Sequence, residues 1–346
     1  MAKNQWLITG GTGFFGTHMA TRLIKQGIRP ILYDKAPIDD ASLVGKVDYI
    51  QGDMRDRAAV EAAVKRSAVV VHAAAALPLE SAKDIWDVTV HGAEYVYGAA
   101  KKHKVKKCVH IGTTAVYGIP RVHPLYEDSL LVPLGPYGEA KCEAEQVGRR
   151  LRRQGLDLTI IRPKSFIGTG RLGVFQILFD WVQSGKKIPV LGKGTNRYQL
   201  LEVTDLVQGI WQAANAKIKG DDYNIGATRF STVNHDVGAL CKHAGNGSKV
   251  WPVPSWPAKF ALRRMETFHL SPLYKWVYET CDQDSFVDTT KIQKQLKWKP
   301  KFSNAEMLCN TYDWYLKEGI AMARRSGTTH RVAWKQGLLG VIKAFM

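Results

Sequence analysis

Along its first half the chain alternates short, wholly apolar runs with longer stretches in which apolar residues recur every third or fourth position. The runs Trp6–Thr9, Pro30–Tyr33, Val69–His72, Cys108–Ile111 and Leu158–Ile161 have no polar face and are too short for helices. They predict buried parallel strands. Between them, Thr17–Gln26, Ala58–Lys65, Asp84–His103 and Tyr137–Gln154 carry the spacing of amphipathic helices. Strand and helix in alternation predict an α/β fold, a doubly wound parallel sheet with helices on both faces. No internal repeat interrupts the pattern.

After Pro163 the texture changes. A helix is expected over Val174–Ser184, followed by the strand-like Lys186-Lys-Ile-Pro-Val-Leu-Gly and a strand–helix pair around Leu200–Ala214. Beyond Trp251 the chain becomes aromatic and basic, with prolines at 252, 254, 257 and 272. Periodicity does not resolve that part, which reads as a smaller, substrate-facing lobe.

Composition adds little until charge is counted. With 346 residues, 45% of them hydrophobic and 23% charged, there is ample material for a core. The net charge of +18 favours contact with a polyanion: nucleic acid, anionic lipid or a phosphorylated substrate. The basic runs Lys101–Lys107 and Arg149–Arg153 fall at helix ends, where cations suit the dipole, and no aromatic–basic recognition motif accompanies them. Nucleic acid is therefore not an expected partner. The five cysteines are scattered without a CxxC pair, so neither a disulfide framework nor a metal site is expected. No apolar stretch approaches the ~18 to 20 residues that span a bilayer, and Met1 leads straight into a strand. A cytoplasmic enzyme is expected, free or held on a membrane face.

Thr9-Gly10-Gly11-Thr12-Gly13-Phe14-Phe15-Gly16 joins the first strand to the first helix. Gly10 permits a tight turn, Gly13 lets backbone approach a pyrophosphate, and Gly16 allows close helix-to-strand packing. The helix N-terminus supplies N–H donors and a favourable dipole. In this context the turn predicts a dinucleotide cofactor and a Rossmann-type domain. Asp34 closes the second strand, where a carboxylate accepts hydrogen bonds from ribose hydroxyls and repels a 2′-phosphate, so NAD is the expected cofactor. Lys35 softens that preference, and NADP stays open. Domains are expected at 1–165 for cofactor binding, with segments near 200–226 returning to it, 166–320 for the substrate lobe, and 321–346 as a basic amphipathic tail.

Tyr137-Gly138-Glu139-Ala140-Lys141 places a phenol and an ammonium one helical turn apart. A phenol of pKa ~10 is a poor base at neutral pH. A neighbouring cation stabilises its phenolate and brings it into range for acid/base work on an alcohol or ketone.

Together with Gly52-Asp53-Met-Arg-Asp, His72-Ala-Ala-Ala, Thr113–Gly118 and Arg162-Pro163, in that order, these elements resemble the extended short-chain dehydrogenase/reductase family. The resemblance implies Tyr137 as general acid/base, Lys141 on the nicotinamide ribose, and Thr113 on the reacting oxygen, with Thr114 as the alternative to Thr113. It further implies Gly10, Gly13, Phe14, Phe15 and Gly16 around the pyrophosphate. Asp53 and Met54 would lie near the adenine, Ala73, Ala74 and Ala75 under the ribose, and Pro163 beside the nicotinamide. One departure is Thr89, where members of the family often carry an asparagine, which puts the detail of a proton relay in doubt.

Three reactions compete. Related 4,6-dehydratases carry Asp-Glu after the catalytic threonine, whereas this chain has Thr114-Ala115. Nucleotide-sugar epimerases carry a diphosphate-clamping arginine at the position of Tyr198, with Arg197 one residue early here. In a regular strand that offset turns the side chain to the other face unless a bulge restores it. Gly185–Asn196 and Arg162–Gly168 are similar to 3β-hydroxysteroid dehydrogenase-like proteins. The aromatic, basic segment Trp256–Tyr278 suggests a lipid-facing cap, and the tail suggests an interfacial helix on an anionic membrane. The leading expectation is thus an NAD(P)-dependent oxidoreductase of a lipid-like alcohol, such as a sterol or keto-sphingolipid, with a nucleotide-sugar 4-epimerase or reductase as the alternative. A cofactor-binding scaffold without chemistry is a third reading, which the intact Thr113, Tyr137 and Lys141 argue against. A homodimer stays open.

Overall fold

In a computed structural model, residues 5–323 are described, apart from 79, 171–172, 174 and 268–274. The first half builds β1 (Trp6–Thr9), α1 (Phe14–Lys25), β2 (Ile31–Asp34), β3 (Asp48–Gln51), α2 (Arg57–Lys65), β4 (Val69–His72), α3 (Ala82–Trp86), α4 (Gly92–Lys102), β5 (Lys107–Ile111), α5 (Gly135–Arg153) and β6 (Leu158–Pro163). The second half adds β7 (Phe166–Ile167), α6 (Phe175–Gln183), β8 (Lys187–Leu191), β9 (Leu201–Glu202), α7 (Val203–Asn215), β10 (Asp222–Ile225), α8 (Val233–Ala244) and β11 (Lys249–Val253). It closes with α9 (Ser255–Thr267), α10 (Lys275–Thr280), α11 (Thr290–Leu296) and α12 (Asn304–Trp314).

Seven strands form one parallel sheet in the order β10-β6-β5-β4-β1-β2-β3. All five strands expected from apolar runs are present. The two that the runs did not announce, β3 and β10, are the sheet's edges. An edge strand needs apolar residues on fewer sides. In β10 the polar positions are satisfied by distant partners: Asn224 Oδ1 accepts from the Tyr117 hydroxyl at 2.8 Å, and Asp222 pairs with Arg149 and Arg152.

One face of the sheet is covered by α1, α7 and α11 through Met19, Leu23, Leu206, Ile210 and Ile292. The other is covered by α2, α4 and α5 through Val60, Val64, Val96, Tyr97 and Val147. A separate core of Phe179, Trp181, Leu240, Met307 and Tyr312 serves the C-terminal lobe. The long helix expected over Asp84–His103 is instead α3 and α4 joined by a π-helical stretch at Asp87–His91, a widening often found beside functional sites.

Several of the basic residues are paired internally, which leaves the net excess of +18 unchanged. Lys102 bonds Glu61, Lys107 is buried against Asp157 and the Ile218 carbonyl, and Arg149 and Arg152 tie α5 to β10. Among the described residues, no helix is long and apolar enough to cross a membrane. The expected amphipathic tail lies outside the described residues from 324 onward.

Candidate active site

Every predicted site residue sits on or beside the carboxyl end of a sheet strand or the segment that follows it. The crevice opens where the connections diverge, between β1 and β4, the usual ligand position in such sheets.

The glycine turn is shaped by close approach. Gly10 has φ +69°, and a Cβ there would lie 2.9 Å from the Ala74 nitrogen. A Cβ on Gly16 would lie 2.4 Å from the Gly10 carbonyl oxygen. Gly13 caps α1 without a side-chain hydrogen bond, and the first turn holds no acidic residue. The first N–H groups of α1 are thus left to an anion. Phe14 and Phe15 are buried, with Phe14 stacked on Phe166 at 5.7 Å. What they can offer a phosphate is backbone N–H, not side chain.

Asp34 accepts from Thr12 N at 3.1 Å and Ala36 N at 3.0 Å. It braces the glycine turn while presenting a half-buried carboxylate at the strand end. Asp53 is held by Arg55, with Nη2 at 2.7 Å, which keeps its carboxyl below the ordinary range. Met54 is buried against Gly92. Ala73, Ala74 and Ala75 form a half-buried strip. Thr9 ties that strip to β1: its carbonyl accepts from Ala73 N, and its hydroxyl accepts from Ala74 N at 3.3 Å and meets His72 Nδ1 at 2.8 Å. Thr89, at the position of the family's asparagine, is buried on the π-helical stretch, and its hydroxyl accepts from Ala76 N at 3.4 Å. It anchors the end of the strip.

A glycine cradle that Cβ atoms would fill, an uncapped helix terminus and a carboxylate closing β2 together fit a dinucleotide.

The catalytic candidates converge at the next two strands. Tyr137 is half-buried in the first turn of α5, one turn before Lys141. Lys141 is buried and donates from Nζ to the Ile111 carbonyl at 2.7 Å. Burial draws its pKa down to about 8, against a smaller opposing pull from Glu145. The two threonines are now distinguished. Thr114 is buried and donates to the Pro163 carbonyl at 3.4 Å, whereas Thr113 is half-buried and caps the turn by accepting from Ala115 N at 3.1 Å.

Sequence reasoning overlooked the group that holds these pieces together. Arg162 is fully buried and donates to both Glu145 oxygens, to the Tyr117 hydroxyl at 2.7 Å and to the Glu127 carbonyl at 3.0 Å. It joins α5 to the Thr113–Gly118 turn. An arginine next to Pro163 in an apolar strand was the available signal. Lys164, the next residue, was overlooked in the same way. It is buried, with its ammonium 2.6 Å from Ser285 Oγ and 5.2 Å from the Tyr198 ring centre.

The one-residue offset of Arg197 falls in an irregular segment. Residues 197 and 198 make isolated bridges to Thr232 and Ser285, not a regular strand, so strict alternation does not apply. The Arg197 guanidinium lies 4.2 Å from the Phe286 ring centre and 3.1 Å from Asp284.

In the segment expected to form a lipid-facing cap, some of the basic residues are paired. Lys259 and Arg263 pair with Asp282 and Glu279. In Gly185–Asn196, the terminal asparagine donates to the carbonyls of Cys281 and Gln283. Trp256 and Phe260 are exposed and stack on each other at 6.0 Å.

The NAD dependent epimerase/dehydratase family matches residues 6–226. The uncharacterized protein y4nG of Sinorhizobium fredii is 34% identical over 97% of this chain and 85% of its own length. The UDP-glucose 4-epimerase of Bacillus subtilis is 26% identical over 89% of this chain and 96% of its own. A UDP-glucuronic acid 4-epimerase from Bacillus cereus, solved with NAD, superposes with a TM-score of 0.75 at 20% identity, over 90% of this chain and 99% of that one. These likenesses support the nucleotide-sugar alternative better than the sterol or keto-sphingolipid reading, which they leave without support.

Proposed function

The chain belongs to the NAD-dependent epimerase/dehydratase family, and on that premise we propose that it is a nucleotide-sugar 4-epimerase, interconverting a secondary alcohol through its ketone. The observation that carries this reading is the acid/base set itself: Lys141 buried on the Ile111 carbonyl one turn from Tyr137, with Thr113 on the half-exposed turn after β5.

NAD, when bound, supplies the hydride acceptor and donor. The chain's own residues do the rest. Tyr137 removes the hydroxyl proton, and Lys141 stabilises the phenolate that does so. Thr113 holds the oxygen, and the water-poor walls around Lys141 strengthen each of these charges. Dehydration would need a further acid next to Thr114, and the residue there is the buried Ala115. An epimerase returns the hydride it removes, so it accumulates no NADH.

Incubating the NAD-loaded protein with UDP-glucose and UDP-galactose, and resolving the sugars by chromatography, tests the proposal. Interconversion without net NADH is expected. Stoichiometric NADH, or a 4-keto-6-deoxy product, would replace the epimerase by a dehydrogenase or a dehydratase.

A further inference from the structure

Lys164 has no part in the proton and hydride steps, yet its surroundings are unusual. It is 2% exposed, and its backbone N–H donates to the Ile225 carbonyl at 3.0 Å, so the segment is pinned. The ammonium has three donors. Among the described residues it meets one oxygen, Ser285 Oγ at 2.6 Å, and one ring face, Tyr198. Burial alone draws its pKa down to about 7, with no neighbouring charge to offset it. A buried cation without a counter-charge is costly.

His123 stands on the same wall, its ring 5.1 Å from that of Phe286. Its Nε2 is buried without a partner in the described structure, and the charge of Lys164 is felt at its ring. Buried polar atoms are ordinarily satisfied, so the spare donors of Lys164, one residue from Phe286 through Ser285, and the unpartnered His123 Nε2 against the Phe286 ring mark a place for an outside oxygen. Arg197 and Asp284 form the rim, with side chains 51% and 37% exposed. The nearby carboxylate, Asp284, is engaged by Arg197. A buried donor therefore lies next to a half-exposed ion pair.

We propose that Lys164 is a specificity-determining residue of the substrate wall, whose ammonium takes an anionic oxygen group of the substrate in place of the Ser285 hydroxyl. The proposal rests on the nucleotide-sugar reading, and such a substrate offers that chemistry twice: in its diphosphate, and in a carboxylate where the sugar is a uronic acid. Either would form a charge-assisted hydrogen bond in a poorly hydrated place.

Calorimetry on the NAD-loaded protein separates the sources, with UDP, UDP-glucose, UDP-glucuronic acid, pyrophosphate and glucuronate as probes. Lys164→Gln is expected to weaken anion binding by roughly tenfold or more, the scale of one charged hydrogen bond, with NAD affinity unchanged. Lys164→Arg, which keeps the charge, should recover most of the loss. Ser285→Ala, which removes only the present partner, should change affinity by less than about threefold. Losses shared by UDP, UDP-glucose and pyrophosphate would put the diphosphate on Lys164. Losses confined to UDP-glucuronic acid and glucuronate would put the sugar carboxylate there.

Affinities within about twofold of wild type for every probe, or equal losses in Lys164→Gln and Ser285→Ala, would overturn the assignment. If the wild-type protein binds no uridine nucleotide, the epimerase reading falls by itself. Lys164 is then judged on the two free ions, and equal affinity in wild type and Lys164→Gln, or no binding to either, rejects it.

Discussion

The two walls of the cleft are built from different materials. The cofactor wall is mostly backbone: a glycine turn, the first N–H groups of α1, and the Ala73–Ala75 strip that Thr9 ties down. Its defining residues lie within a few positions of one another, or one strand apart. The proposed substrate wall would be made of side chains from four distant segments: His123 and Arg197 lie against the Phe286 ring at 5.1 and 4.2 Å, and Lys164 bonds the preceding Ser285. Backbone geometry can serve one shared ligand in many proteins. A wall of side chains can be re-lettered for each substrate without disturbing the sheet beneath it, so this wall is where specificity belongs.

Tyr137 belongs to neither wall's binding set, and as the proposed acid/base its removal should give the largest effect. Tyr137→Phe is expected to lower turnover by ~10²- to 10⁴-fold, the range of general acid/base catalysis, while NAD binds nearly as before. Turnover within a few-fold of wild type would take Tyr137 out of the mechanism.

Gly16→Ala probes the cofactor wall alone. The new methyl would press on the carbonyl oxygens of Gly10 and Gly11 at 2.4 and 2.6 Å. Such overpacking costs about 1–3 kcal/mol, so NAD affinity should fall by roughly tenfold or more. Quenching of tryptophan fluorescence on titration with NAD would show this, and an unchanged affinity would mean that the turn is not the pyrophosphate site.

A smaller effect is expected from pH. Lys141 is charged below about 8 and neutral above it. His72, held down to about 3, and His110, also held well below its ordinary value by burial, do not titrate in that window. Rising pH therefore removes the positive charge beside Tyr137, and turnover at saturating NAD should decline above about pH 8. Lys141→Arg, where it folds, should carry the decline to higher pH. A rate still climbing between pH 8 and 10 would show that the charge of Lys141 is not needed.

The smallest change expected is in cofactor choice. Asp34→Ala removes the carboxylate that repels a 2′-phosphate and also a brace of the glycine turn. Affinity for NAD should fall several-fold and that for NADP should not, moving the ratio of dissociation constants toward NADP. A constant ratio would leave Asp34 as a brace only.

The sequence by itself determined the alternating sheet, the glycine turn, the Tyr137–Lys141 pair and the family, because each depends on spacing within one element or on the junction between two. It did not reveal the edge strands β3 and β10, whose polar residues are satisfied by contacts from far along the chain. It named Thr113 with Thr114 as the alternative, but could not show that the Thr114 hydroxyl finds the Pro163 carbonyl while Thr113 caps the turn at Ala115. Nor could it show that the guanidinium of Arg197 stacks on Phe286 and pairs with Asp284, since the period-two rule assumes a regular strand and this segment is not one. The lipid expectation found no support in the relatives, and the sequence could not show that Lys259 and Arg263 of that basic, aromatic segment pair with Asp282 and Glu279. Local spacing is written in the chain, but burial and pairing between remote side chains are decided only when the tertiary structure brings them within a few ångströms, where charge and hydrogen bonding act.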